Sequence, residues 1–206
     1  KGRKPACLKC GPDYIDPMFH RKVLGVSSGN LDTFFTDEET TRYLLARKAE
    51  GADITVLEGV MGYYDGLGGV SDRASSYEIA RVTRTPVILV VDGKGASVSL
   101  AAQIKGMLSF REDGRICGIL LNRVREGYYG RLKELLEKEC GLPVLGFLPP
   151  LSELELPSRH LGLVMPEELE RFEAWADAAA GAALAHVDIE KICRIAADAE
   201  WLSAKE

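Results

Sequence analysis

Five mostly apolar runs punctuate the chain, at Ala6–Cys10, Ile54–Leu57, Val87–Val91, Ile116–Leu121 and Val144–Leu148. None shows the strict apolar–polar alternation of a strand with one wet face, so they read as strands buried on both sides of a sheet. Helix-like segments lie between them. Thr36-Asp37-Glu38-Glu39 has capping-box spacing and opens a helix through about Glu50, stopped by Gly51. Ser75-Ser76-Tyr77-Glu78 repeats the device for a helix that ends before Pro86. Further helices are predicted over Ser97–Phe110, Tyr128–Cys140, Pro166–Ala185 and Asp188–Trp201, with Pro166 suited to a first turn. Strand and helix alternate, which predicts an α/β fold: a doubly wound, mostly parallel sheet flanked by helices, with right-handed crossovers.

One stretch breaks the rhythm. Residues Pro149–Pro166 carry Pro149-Pro150, Pro157 and Ser158-Arg159-His160-Leu161-Gly162-Leu163 without a clear period, and a long irregular segment inside a compact domain is usually a functional loop. The expected organisation is therefore a single domain over 1–206, with 150–166 a functional loop and 166–206 a pair of C-terminal helices. Lys1 is not an initiator methionine, and the first residues run straight into a strand. The chain reads as a piece of something longer.

Composition narrows the partners. With 206 residues, a net charge of -5 and a pI near 5.4, the chain lacks the clustered cations of a general phosphate-backbone binder, so no nucleic acid is expected. Its apolar runs fall short of the roughly 20 residues that span a bilayer, so no membrane segment is expected either. Five scattered cysteines, an odd number in a chain of this size, fit a reducing compartment and a cytoplasmic setting. Cys7-Leu8-Lys9-Cys10 spells a CxxC, but positions three apart on a strand point to opposite faces. The pair reads as two thiols packing in a strand.

Polar residues recur where strands end. Asp13 follows the first strand closely, Glu58 ends the second, Asp92 the third and Asn122 the fourth. In open parallel sheets ligands bind outside the carboxyl ends of the strands, so these groups together predict a crevice, although each alone would pass as a cap or turn residue. Carboxylates there suit magnesium, which favours oxygen ligands and shares them with water and phosphate. An Asn at a strand end can read a nucleobase edge, having both donor and acceptor. Five glycines between Gly59 and Gly69 fit a ligand-facing loop. Asp92-Gly93-Lys94-Gly95-Ala96-Ser97 lacks the full phosphate-loop spacing, so Lys94 reads as a solvated loop lysine. The histidines His20, His160 and His186 sit in no hydrolase elbow or zinc helix.

The motifs are specific when taken in order. Lys9 with Gly11-Pro12-Asp13-Tyr14-Ile15-Asp16-Pro17, then His20, Ser28-Gly29-Asn30-Leu31-Asp32, Glu58-Gly59-Val60-Met61-Gly62-Tyr63-Tyr64-Asp65-Gly66 and Arg159-His160-Leu161-Gly162-Leu163 resemble the cobyrinic acid a,c-diamide synthases. The resemblance covers nearly the whole chain. It implies a P-loop NTPase-like, dethiobiotin-synthetase-like amidoligase. Such an enzyme uses ATP and Mg to activate the c and then the a acetate carboxylate of a corrinoid as acyl phosphates, and ammonia displaces the phosphate. It further implies that Asp13 and Glu58 face metal and ATP phosphates, Tyr14, Ile15 and Asp65 face the carboxylate being activated, and Asn122 contacts adenine. His20, Ser28, Asn30 and Asp32, in a loop region, and Arg159 with His160 would grip the periphery of the tetrapyrrole. The family's N-terminal strand with its phosphate loop would precede Lys1, and the glutaminase domain that supplies ammonia would follow Glu206, so the 206 residues alone are expected to bind ATP weakly and not to complete the reaction. Amidation of another tetrapyrrole such as Ni-sirohydrochlorin, or a nucleotide-dependent switch that binds a partner, are the competing readings; a homodimer is open.

Overall fold

The computed structural model describes residues 2–151, 154, 158–159, 162–163 and 172–200. The chain divides into two compact units, one built chiefly from residues 1–85 and the other from residues 86–155 and 173–198.

The first unit contains β1 (Pro5–Cys10), α1 (Ile15–Lys22), β2 (Ser27–Leu31), α2 (Glu38–Ala49), β3 (Ile54–Glu58) and α3 (Ser76–Thr83). Its sheet is parallel in the order β2-β1-β3, with Lys9 opposite both Asn30 and Glu58. Leu8, Cys10, Leu31, Leu45 and Ile79 form its core, and Leu44 and Leu57 pack against them. Burying each such Leu or Ile side chain contributes roughly 1.5–3 kcal/mol. Two elements here were not visible in the hydropathy pattern, α1 and β2. Ser27-Ser28-Gly29-Asn30-Leu31 has no strand propensity, and is extended because it pairs with β1 and buries Ser28 and Leu31. Helix α1 begins inside the Gly11–Pro17 acidic cluster and seats Pro17 in its first turn, where the missing N–H costs nothing. His20, Ser28 and Asn30 therefore stand on a helix and a strand, which corrects the loop expected for them.

Caps are shifted by one residue at α2. The N-cap is Asp37, not Thr36: its carboxylate accepts the Thr40 N–H, while Thr36 Oγ1 donates to Asp32 O. At α3 the cap is Ser75, as the spacing predicts, but Glu78 bonds the Ala74 N–H and the Thr33 hydroxyl instead of closing a capping box.

The second unit contains β4 (Val87–Asp92), α4 (Val98–Phe110), β5 (Ile116–Asn122), α5 (Glu126–Cys140), β6 (Val144–Leu148), α6 (Phe172–His186) and α7 (Ile189–Ala197). Its sheet is parallel in the order β4-β5-β6. Ile104, Ile119, Leu121, Leu132, Leu136 and Leu145 are fully buried at its centre. The alternation of parallel strands and helices is the α/β fold the sequence predicts, hydrogen-bonded as three strands in each unit. Helix α6 ends at His186 and α7 is capped by Asp188; the predicted helical residues 166–171 and Trp201 lie outside the described residues. A two-residue antiparallel ladder joins β7 (Ser158–Arg159) and β8 (Gly162–Leu163). The Arg159 side chain and all of His160 lie outside the described residues.

Candidate functional site

Lys9 is the centre of the first unit's site. It lies in the interior of β1, and its side chain is only 7% exposed, so its ammonium needs partners within reach. It has two: Asp16 Oδ2 at 2.5 Å and Glu58 Oε1 at 3.0 Å. Burial alone pushes the Lys9 ammonium down, but the hydrogen bonds and charges of Asp16 and Glu58 outweigh it and hold the group above its ordinary value. The second Glu58 oxygen lies 3.6 Å from His20 Nε2, and His20 Nδ1 is 3.0 Å from Ser28 Oγ. A lysine, two carboxylates, a histidine and a serine thus form one connected network at the carboxyl ends of β1 and β3. Each position follows from the fold: Lys9 and Glu58 are register partners, and α1 returns Asp16 and His20 over the strand ends.

Asp13 and Tyr14 sit at the start of α1. Asp13 Oδ1 accepts the N–H groups of Ile15 and Asp16 at 2.8 and 3.4 Å, and its carbonyl accepts the Asn30 side-chain N–H at 2.6 Å. The Asp13 carboxylate therefore tops a helix N-terminus. Tyr14, by contrast, is 72% exposed. After β3, Asp65 Oδ2 accepts the Gly62 N–H at 3.0 Å, and Tyr63, Tyr64 and Tyr77 pack ring to ring at 4.8–6.0 Å to hold the loop. Gly66 is required there, because a Cβ would collide with the carbonyl oxygens of Arg73 and Ser71. Gly66→Ala is expected to lower stability by about 1–3 kcal/mol, read as a reduced urea midpoint; an unchanged midpoint would show that the loop relaxes freely.

In the second unit, Asp92 and Asn122 are register partners at the ends of β4 and β5. Arg123 forks onto the Asp92 carboxylate, with Nε at 2.9 Å from Oδ1, and this guanidinium, with the Lys94 N–H, holds Asp92 below the usual carboxylate range. Asn122 Oδ1 accepts the Arg123 N–H at 3.0 Å.

Of the predicted residues, Asp13, Glu58, His20, Ser28 and Asn30 come together in the first unit, and Asp92 with Asn122 in the second. Lys9 and Asp16 lie in the motif, which does not itself say that Lys9 bridges Asp16 and Glu58. The signal was available, since a lysine inside an apolar strand demands buried acids. The CxxC behaves as two strand thiols: Cys10 is buried, and burial pushes its thiol up to about 11. In the native protein Cys10 is expected to resist alkylation at neutral pH and to react only after denaturation, as peptide mapping would show.

Parallel strands alternating with helices, with acids and amides delivered at their carboxyl ends, define a P-loop NTPase-like domain. A family model described as an AAA domain matches residues 33–158, and the chain belongs to that family. It is 44% identical over 201 residues to the cobyrinate a,c-diamide synthase of Listeria innocua serovar 6a, covering 97% of this chain and 44% of the relative. Proteins of the same name from Priestia megaterium and Thermoplasma volcanium are 40% and 39% identical over 92% and 100% of the chain, covering 41% and 44% of those relatives. The chain therefore spans less than half the length of these relatives. Among solved structures, the MinD cell division protein of Aquifex aeolicus superposes with a TM-score of 0.53 at 14% identity, over 98% of this chain and 87% of that one, a likeness of fold.

Proposed function

We propose that this chain is the nucleotide-dependent amidating part of a cobyrinate a,c-diamide synthase, acting on the a and c acetate carboxylates of a corrin ring. The observation that carries the reading is the buried Lys9 clamped by Asp16 and Glu58 at the strand ends, in a chain similar along almost its whole length to proteins of that name.

A carboxylate is a poor electrophile, and bound ATP supplies the phosphoryl group that makes one of its oxygens a leaving group as an acyl phosphate. The residues present suit that task. Among the described residues no three His, Cys, Asp or Glu side chains gather as a ready-made metal cage. Magnesium, however, is commonly held by one or two carboxylates together with phosphate and water, and Asp13 and Glu58 provide two. Lys9 fixes one Glu58 oxygen, while Ser28 and His20 steady the other, so these three position Glu58. Tyr14 and Ile15 border the acetate, and Asp65 orients incoming ammonia or takes its proton. Asn122 retains an amide nitrogen as donor to an adenine edge. Asn30, Asp32, Arg159 and His160 contact the ring's periphery. Among the described residues β3 ends the order β2-β1-β3, a position suited to pairing with a further parallel strand that carries the phosphate loop. A downstream glutaminase supplies ammonia.

Equilibrium binding to the intact protein tests the reading. Cobyrinic acid and Mg-ATP are both expected to bind; nucleotide binding without any corrinoid binding would favour a switch, and preference for Ni-sirohydrochlorin would move the substrate to another tetrapyrrole.

A further inference from the structure

The loop after β2 has a feature that the amidation chemistry does not use. Phe34 and Phe35 stand side by side at its tip, 57% and 70% exposed, with ring centroids 4.9 Å apart and planes at 87°. Two adjacent exposed phenylalanines on a slack loop would fold inward, since burying each is favourable. This loop is not slack. Asp32 Oδ1 accepts the Phe34 N–H at 2.8 Å, Asp32 O accepts both the Thr36 N–H at 3.1 Å and the Thr36 hydroxyl at 2.8 Å, and Thr33 Oγ1 donates to Glu78 Oε2 at 2.7 Å. The backbone is pinned on both sides of the rings, so their exposure is built in.

Their position limits what they serve. They come shortly after Asn30 and Leu31, separated from them by Asp32 and Thr33; Asn30 bonds to Asp13 O, and the Leu31 carbonyl accepts the Gly11 N–H. The phenylalanine pair therefore lies on the segment that leaves the β2 end bonded to Gly11 and Asp13, and Asp13 immediately precedes the 72% exposed Tyr14. Asp32, expected to grip substrate, also uses one carboxylate oxygen to shape the turn that presents the rings. A ligand fitting this arrangement has a broad apolar ring surface beside carboxylates: the acids reach the polar strand ends while the ring rests on aromatic edges and faces.

We infer that Phe34 and Phe35 form an apolar platform for the macrocycle face of a carboxylate-bearing tetrapyrrole, setting affinity for the ring apart from the chemistry at its side chains. The inference rests on the amidation reading. It is tested in the intact protein by comparing cobyrinic acid and Mg-ATP binding for wild type, the double variant Phe34→Ala/Phe35→Ala and the conservative Phe34→Tyr/Phe35→Tyr. The alanine pair is expected to weaken cobyrinic acid binding about tenfold or more while Mg-ATP affinity stays within about twofold, and the tyrosine pair to retain most of the affinity. Equal cobyrinic acid affinity in wild type and the alanine pair overturns the platform while leaving the amidation reading intact. Loss of a dimer without change in affinity also overturns it, assigning the rings to contact between copies. Absence of cobyrinic acid binding by wild type overturns the amidation reading, and the platform with it.

Discussion

Replacing Lys9 with methionine is expected to lower stability by about 2–3 kcal/mol, because the neutral side chain leaves Asp16 and Glu58 facing one another without their shared cation. The figure is below that for a fully buried pair, since the Lys9 and Asp16 side chains are 7% and 18% exposed but Glu58 is 49% exposed. Chemical denaturation of the intact protein measures it. The pH dependence has a definite sign. Because the folded Lys9 ammonium is held above its ordinary value, its contribution is fully present below the unfolded value of about 10.4 and is lost as pH rises through the folded value. The difference between wild type and Lys9→Met should therefore be constant through neutrality and shrink in strong alkali. A difference that persisted undiminished through strong alkali would show that the Lys9 charge is not what stabilises the site.

The second large effect belongs to Glu58. Glu58→Gln keeps the size of the side chain and its reach to Lys9 Nζ, 3.0 Å from Oε1 in the native arrangement, but removes the charge that a metal–phosphate assembly would meet. Turnover of the intact enzyme is expected to fall by about 10²-fold or more, the scale of losing one preorganised electrostatic partner in a transition state. Folding should survive, because the amide oxygen still accepts from Lys9. Full turnover in Glu58→Gln would remove the metal and phosphate role from this residue. His20→Ala offers a milder comparison: with the Ser28 link gone, Glu58 loses one of its two supports, so kcat should fall several-fold with little change in KM for cobyrinic acid, whereas a rise in KM alone would return His20 to direct substrate contact.

How much of this was legible in the sequence follows from where each signal resides. Strands β1 and β3–β6 announce themselves as mostly apolar runs, although Val56 in β3 and Val90 in β4 stay exposed and so depart from the two-sided burial expected of them, and Ser75 marks the start of α3 because a cap must be a short polar side chain. Glu58 was legible as an acid at a strand end. Strand β2 was hidden because Ser27–Leu31 gains its extended form from pairing with β1 and not from its own propensities. Helix α1 was hidden behind Pro17 and the surrounding acids, which read as a turn until the chain is seen entering a helix at Ile15. The Lys9–Asp16–Glu58–His20–Ser28 network depended on both hidden elements, since Asp16 and His20 come from α1 and Ser28 from β2. Motif order pointed to the family; register and helix geometry brought its residues together.

The account's central claim is that this chain carries the amidating chemistry of a corrin acetate. It is tested most directly by incubating the intact protein with cobyrinic acid, Mg-ATP and nitrogen-15-labelled ammonium, and locating the label by mass spectrometry and NMR. The account predicts ATP-dependent incorporation of two labelled nitrogens, first at the c and then at the a acetate, and their loss in Glu58→Gln. Nucleotide hydrolysis with no nitrogen entering the ring, or label entering without ATP, would contradict it.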